Sequence, residues 1–144
     1  MTLGLQVTMK PRDVAKITKQ EQRDIKRGID KAISRVGSLG KQIILQRTKV
    51  GEGVDGPFKA YTPAYISQLA SEGKPSIPVD LFNTGQMIRS IQVRRSNSRT
   101  AEIYFDNPEA AKKAAFNDRT RPFFGFNAKE EDRLAALFRK EIGK

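Results

Sequence analysis

Val79-Asp80-Leu81-Phe82-Asn83-Thr84-Gly85-Gln86-Met87-Ile88-Arg89-Ser90-Ile91 is the stretch on which the chain turns. Val79, Leu81 and Phe82 follow Pro78 as a short apolar run, Asn83-Thr84-Gly85 interrupts the pattern, and Met87, Ile88 and Ile91 resume at helical spacing. An extended piece is therefore expected to hand over to a short helix. Asn83 or Thr84 supplies an oxygen to accept from the first free N–H groups of that helix. The pattern before this stretch is helical and basic; the pattern after it alternates as sheet strands do.

Working upstream, Thr18-Lys19-Gln20-Glu21 has the form of a capping box and predicts a helix start. The apolar stripe of that helix is Ile25, Ile29, Ala32, Ile33, Val36 and Ile43, and its other face is Arg23, Lys26, Arg27, Lys31, Arg35, Lys41 and Arg47. Two readings of the basic face stay open: a plain solvated surface, or one that meets phosphate or an acidic partner. Glycine costs about 1 kcal/mol against alanine inside a helix. A bend or break is therefore expected at Gly37-Ser38-Leu39-Gly40. Residues 1–17, with Leu3, Leu5 and Val7 alternating, read as a short strand or an ordered arm. Glycine and proline density makes loops of 49–57 and 71–78. Between them Phe58, Tyr61 and Tyr65 recur at steps of three and four on a helix starting near Thr62-Pro63, as core or interface rather than a base-stacking platform.

Downstream, Ile91-Gln92-Val93 and Thr100 to Phe105 alternate on either side of Arg94-Arg95-Ser96-Asn97-Ser98-Arg99. This predicts a β-hairpin with a basic tip, Ala101, Ile103 and Phe105 facing inward. Asp106-Asn107-Pro108 opens an alanine-rich helix over 109–116. Arg121-Pro122-Phe123-Phe124-Gly125-Phe126 is too apolar for a solvent loop and too broken for a helix. Asn127, with Glu130 three residues on, caps a final helix whose buried stripe is Leu134, Leu137, Phe138 and Ile142. The fold class these elements define is α+β: a long N-terminal helix and a C-terminal helix packed on a small antiparallel sheet, in one domain spanning 1–144.

Composition narrows the chemistry. The 144 residues contain no cysteine and no histidine, which removes thiolate nucleophiles, Ser-His-Asp and Cys-His triads, and the commonest metal ligands. No enzyme is expected, and no cofactor, metal or small-molecule substrate. A carboxylate-only magnesium nuclease from Asp80, Glu102 and Asp106 lacks the lysine that pattern places two residues after the second acid, where Tyr104 stands. The net charge of +11 calls for an anionic partner. Residues 1–50 hold most of it, twelve Lys and Arg against four Asp and Glu. A small basic nucleic-acid-binding protein is the alternative function, using the helix face and Arg94, Arg95 and Arg99, although no zinc finger, basic zipper or aromatic sheet signature is present. Without a long apolar run or a leader-like N-terminus, the chain is expected to be soluble, made in a cytoplasm and off the membrane.

The Thr84-Gly85-Gln86-Met87 block, followed by Arg121-Pro122-Phe123-Phe124-Gly125 and an acidic-led closing helix, resembles the phage virion morphogenesis family. These are the tail-completion or neck proteins of tailed bacteriophages, the Mu type among them. The Asp55-Gly56-Pro57-Phe58, Tyr61, Tyr65 segment falls in the same order, so the likeness spans about residues 20–142. The chain departs from the pattern at Phe116-Asn117-Asp118, where many relatives carry a histidine-containing segment. The resemblance implies a structural virion protein of the head-tail joining region, a subunit of a ring with sixfold symmetry around the DNA path, assembled in the host cytoplasm. Its partners would be copies of itself and neighbouring neck, connector or tail-terminator proteins, with DNA passing through the channel. Subunit contacts are then expected at Phe58, Tyr61, Tyr65, Arg121, Phe123, Phe124 and Phe126. Arg23, Lys26, Arg27, Lys31, Arg35, Arg94, Arg95 and Arg99 would face the partner.

Overall fold

The computed structural model describes residues 4–8, 19–81, 85–97 and 99–143. In chain order the elements are β1 (Gly4–Thr8), α1 (Lys19–Lys49), β2 (Glu52–Gly53), β3 (Gly56–Pro57), α2 (Pro63–Ser71), α3 (Gln86–Arg89), β4 (Ile91–Asn97), β5 (Thr100–Phe105), α4 (Pro108–Thr120) and α5 (Ala128–Ile142). The arrangement is α+β, as the residue patterns require.

β4 and β5 form the expected hairpin, in register from Ile91 opposite Phe105 to Asn97 opposite Thr100, with an irregularity between Arg95 and Asn97. β1 adds antiparallel to the other edge of β5, Gly4 opposite Tyr104 and Thr8 opposite Thr100, giving the order β1-β5-β4. Of the two readings of the N-terminal segment, residues 4–8 take the strand. Period-two alternation buries Ala101, Ile103 and Phe105 on one face of β5.

α1 is continuous through Gly37-Ser38-Leu39-Gly40, where a bend or break was expected, so the helix does not break there. The reason is proximity. A Cβ built on Gly37 would stand 2.8 Å from the Ala101 Cβ and 2.9 Å from Val93 Cγ1, and one on Gly40 2.9 Å from the Phe126 ring. The two glycines let the helix lie directly on the hairpin, and the packing gained there offsets their poor helix propensity. Ala32, Ile33, Val36 and Ile43 join Leu134 and Phe138 of α5 in one core cluster that also includes Ala101 of the hairpin. A second cluster joins Ile44, Leu81, Met87, Ile91, Ile103, Phe105, Phe123 and Phe124 to the small residues Ala110, Ala111 and Ala114 of α4. Ile25 extends the α1 stripe in sequence but is 39 % exposed.

Local signals explain most boundaries. Thr62 accepts from the Tyr65 N–H at the start of α2, and Asn107 accepts from Glu109 and Ala110 at the start of α4. Asn127 and Glu130 make both bonds of the capping box of α5. α4 extends to Thr120, beyond the expected 116. Ile91 opens β4 instead of continuing α3. The N-cap of α3 is Gly85, at φ 82° and with no side-chain cap bond; Asn83 and Thr84, like Thr18 upstream of α1, lie outside the described residues. On α5 the buried face is Leu134, Phe138 and Glu141, while Ile142 is 44 % exposed. The stretch 49–57 is more than a loop, since β2 and β3 pair Glu52 with Pro57 and Gly53 with Gly56.

Candidate interaction surfaces

The Arg121–Phe126 segment has no regular structure, so its backbone groups need side-chain partners. Asp118 Oδ1 accepts from both the Phe123 and Phe124 N–H groups at 3.0 Å. Arg47 donates to the carbonyls of Phe123 at 2.6 Å and Gly125 at 2.9 Å, and pairs with Glu130. The Val54 N–H donates to the Pro122 carbonyl at 2.8 Å. Arg47 therefore does not belong to the solvent face of α1 assigned to it; it is 8 % exposed, and burial lowers its pKa against the opposing effect of Glu130. The signal was present in the sequence. Gly40, Ile43 or Ile44, and Arg47 follow one another at the spacing of the buried stripe.

This anchoring divides the expected subunit contacts. Phe123 and Phe124 are 0 % and 6 % exposed and belong to the core, so truncating Phe124 strikes the fold before it reaches any assembly. Phe58 and Phe126 are half-buried against the core. Tyr61, Tyr65 and Arg121 come together at the surface. The two tyrosine rings stand edge to face at 4.8 Å, and the Arg121 guanidinium lies 4.9 Å from the Tyr61 centroid. Arg121 also donates to the Lys59 and Ala60 carbonyls at 2.7 and 2.8 Å. The Tyr61 hydroxyl accepts from the Leu81 N–H at 3.1 Å, at a residue held at φ 57°. Burial raises the Tyr61 pKa, and the Leu81 bond opposes it.

These groups line one side of a concavity of about 340 Å³ whose other walls are Leu81, Gly85, Met87, Lys113, Phe116 and Asn117. Phe116 is 71 % exposed there. Asn117 is held by the Lys113 carbonyl at 2.8 Å, and Lys113 Nζ donates to Gln86 Oε1 at 3.1 Å. The spacing of Tyr61 and Tyr65 was legible. Phe116 and Lys113, from a helix assigned only as alanine-rich, were not.

The second surface is basic. Three of the eight cations expected to face a partner are paired within the chain: Arg35 with Glu141 at 2.9 Å, Arg94 with Glu102 at 2.6 Å, and Arg95 with Asp30 at 3.2 Å. Arg94 also stacks 4.2 Å from the Tyr104 centroid. The Arg95–Asp30 pair ties the hairpin to α1 beside Arg23, Lys26 and Arg27, which precede Asp30 on the same helix. Those three and Lys31 are exposed, Arg99 is half-buried, and none of the five pairs with a described acid.

The acids considered for magnesium do not converge. Glu102 serves Arg94, and among the described residues no three Asp or Glu side chains form a metal-holding group. Among the same residues no helix is long and apolar enough to cross a membrane. Compared with known families, curated proteins and solved structures, the chain matches none.

Proposed function

We propose that this chain is a structural assembly subunit of the neck of a tailed-bacteriophage particle, forming a ring around the DNA path with the tail-completion role. The observation that carries the proposal is the first third of α1. Lys19 to Arg27 is exposed wherever its side chains are described, although the helix is 31 residues long. A helical segment with little tertiary cover is marginal by itself in water. Its cations and the uncovered Ile25 suit it to a neighbouring protein. The likeness of the Thr84–Met87 and Arg121–Gly125 blocks to tail-completion proteins supports the same reading.

Net charge gives the test its sign. Copies carrying +11 each repel one another, so ring formation should strengthen as salt screens them over a Debye length of about 10 Å at 0.1 M. The nucleic-acid reading is favoured by the Arg95–Asp30 tether, which places the hairpin beside the basic face of α1. It predicts the opposite sign. Five cations that pair with no described acid would give a log-log salt slope of about −4.5 on duplex binding. Size exclusion with light scattering on nuclease-treated protein, at about 0.1 M and 0.5 M salt, separates the two. A nucleic-acid-free ring of about six copies that persists at the higher salt supports the neck assignment. A monomer carrying nucleic acid that salt removes refutes it in favour of the alternative.

A further inference from the structure

We infer that the groove between Tyr65 and Phe116 is a docking site for an acidic segment of a partner protein, with one large apolar side chain as its anchor. The clause "partner protein" rests on the assembly reading; binding at the groove itself does not. At about 340 Å³ the concavity is at the small end of ligand pockets, roughly 300–1,000 Å³, and suits a single inserted side chain. Its apolar content is Tyr61, Tyr65, Leu81, Met87 and Phe116. Among the described residues Phe116, at 71 % exposure, is the large aromatic left uncovered, and aromatic side chains dominate protein contacts when they are buried by a partner.

Charge selects the occupant. Among the described residues lining the groove, the ionised side chains are Lys113 and Arg121, both cations. Asp118, next to Asn117 in sequence, is committed to the Phe123 and Phe124 N–H groups. Asp80, which acts electrostatically on Tyr61, lines a different cavity with Leu45, Thr48 and Ile88. Arg121 keeps its Nε and one Nη on the Lys59 and Ala60 carbonyls, so the guanidinium is already oriented, and among the described residues nothing accepts from Nη1, which is placed to meet a carboxylate. Fixing the donor in advance reduces the ordering cost of binding. A basic segment finds no complementary charge here, and overall repulsion between copies carrying +11 each disfavours a second copy as the occupant.

The test is fluorescence anisotropy of the full chain with a labelled peptide Gly-Glu-Asp-Phe-Asp-Glu-Leu-Gly. Binding with a Kd on the order of 10–100 μM is expected, with roughly tenfold weakening in Phe116→Ser and again in Lys113→Glu. Both positions are exposed, so the fold survives both changes. Lys140→Glu on α5 alters net charge equally and should leave binding unchanged. If it weakens binding as much as Lys113→Glu, attraction is diffuse and the groove is refuted. Equal binding of a peptide with lysine in place of each acid refutes the charge argument. If Phe116→Ser instead dissolves the ring while peptide never binds, the groove is a contact between copies and the inference falls. A duplex oligonucleotide that binds and loses affinity in the same two variants would overturn it in favour of nucleic acid. Peptide binding by a protein that stays monomeric sinks the ring and keeps the groove; a ring that ignores the peptide and is unaffected by Phe116→Ser does the reverse.

Discussion

Replacing Arg47 by methionine should destabilise the protein by about 3 kcal/mol, because breaking a buried ion pair from one side typically costs about 3–5 kcal/mol. The structure sets where in that range the value falls. Methionine keeps most of the side-chain volume, so the loss is polar: Glu130 is left without its cation, and the Phe123 and Gly125 carbonyls lose their donor. Each orphaned buried acceptor is worth about 1–3 kcal/mol, but the three groups share one donor and their losses overlap. Glu130 retains 15 % side-chain exposure and the Asn127 N–H, which allows partial rehydration and places the expectation at the low end. At roughly 3 °C per kcal/mol for a chain of this size, Tm should fall by about 9 °C. Urea unfolding followed by far-ultraviolet circular dichroism measures it. Arg47→Lys should recover part of the loss, since it keeps the charge and gives up the fork that reaches two carbonyls at once. A loss below about 1 kcal/mol for the methionine variant, against the range for a buried pair, would refute the view that this arginine organises the 121–126 segment.

Two glycines of α1 should respond to alanine with opposite signs. At Gly28 nothing lies within 4 Å of an added Cβ, so Gly28→Ala should stabilise by about 0.5–1 kcal/mol; at Gly37 the clash with Ala101 and Val93 should outweigh the same propensity gain and destabilise by about 1 kcal/mol, both read from denaturant midpoints. Asp118→Ala removes the acceptor of two N–H groups and should cost about 2 kcal/mol, while Asp118→Asn, which keeps an oxygen there, should cost about half as much. Because the folded state raises the Tyr61 pKa above its ordinary 10.0, it holds that proton more tightly than the unfolded state does. Its contribution is complete below pH 10 and disappears as pH rises through the raised value, so the stability gap between wild type and Tyr61→Phe should shrink with alkaline titration. A gap that widens would reverse the assignment.

The sequence carried the elements whose signals are local. Asn127 and Glu130, Thr62-Pro63, Asn107-Pro108 and the alternation of 100–105 each act within a turn or one strand, and each appears where its residues place it. What escaped were interactions between distant parts of the chain. Gly37 and Gly40 read as weak points because propensity is summed along the helix, whereas their use lies across it, against Val93, Ala101 and Phe126. Arg47 was grouped by charge instead of by helical phase, and Glu141 was passed over; each sits on a buried stripe opposite a partner. The groove was half legible: Tyr61 and Tyr65 share a turn, while Phe116 and Arg121 join them only through the packing of α4.

The long-range ion pairs of α1 also set a timetable for synthesis. Arg47 reaches Glu130, 83 residues later, and Arg35 reaches Glu141, 106 residues later. At roughly 5–20 residues per second, about 4–17 seconds separate the translation of Arg47 from that of its carboxylate. Until residue 105 is made the stripe from Ile29 to Ile44 has neither hairpin nor α5 to cover it, and until residue 130 Arg47 lacks the carboxylate it pairs with. A ribosome stalled before the hairpin would therefore display a long basic helix with its apolar side bare, a natural substrate for a holding chaperone and a place for premature contact with another nascent copy.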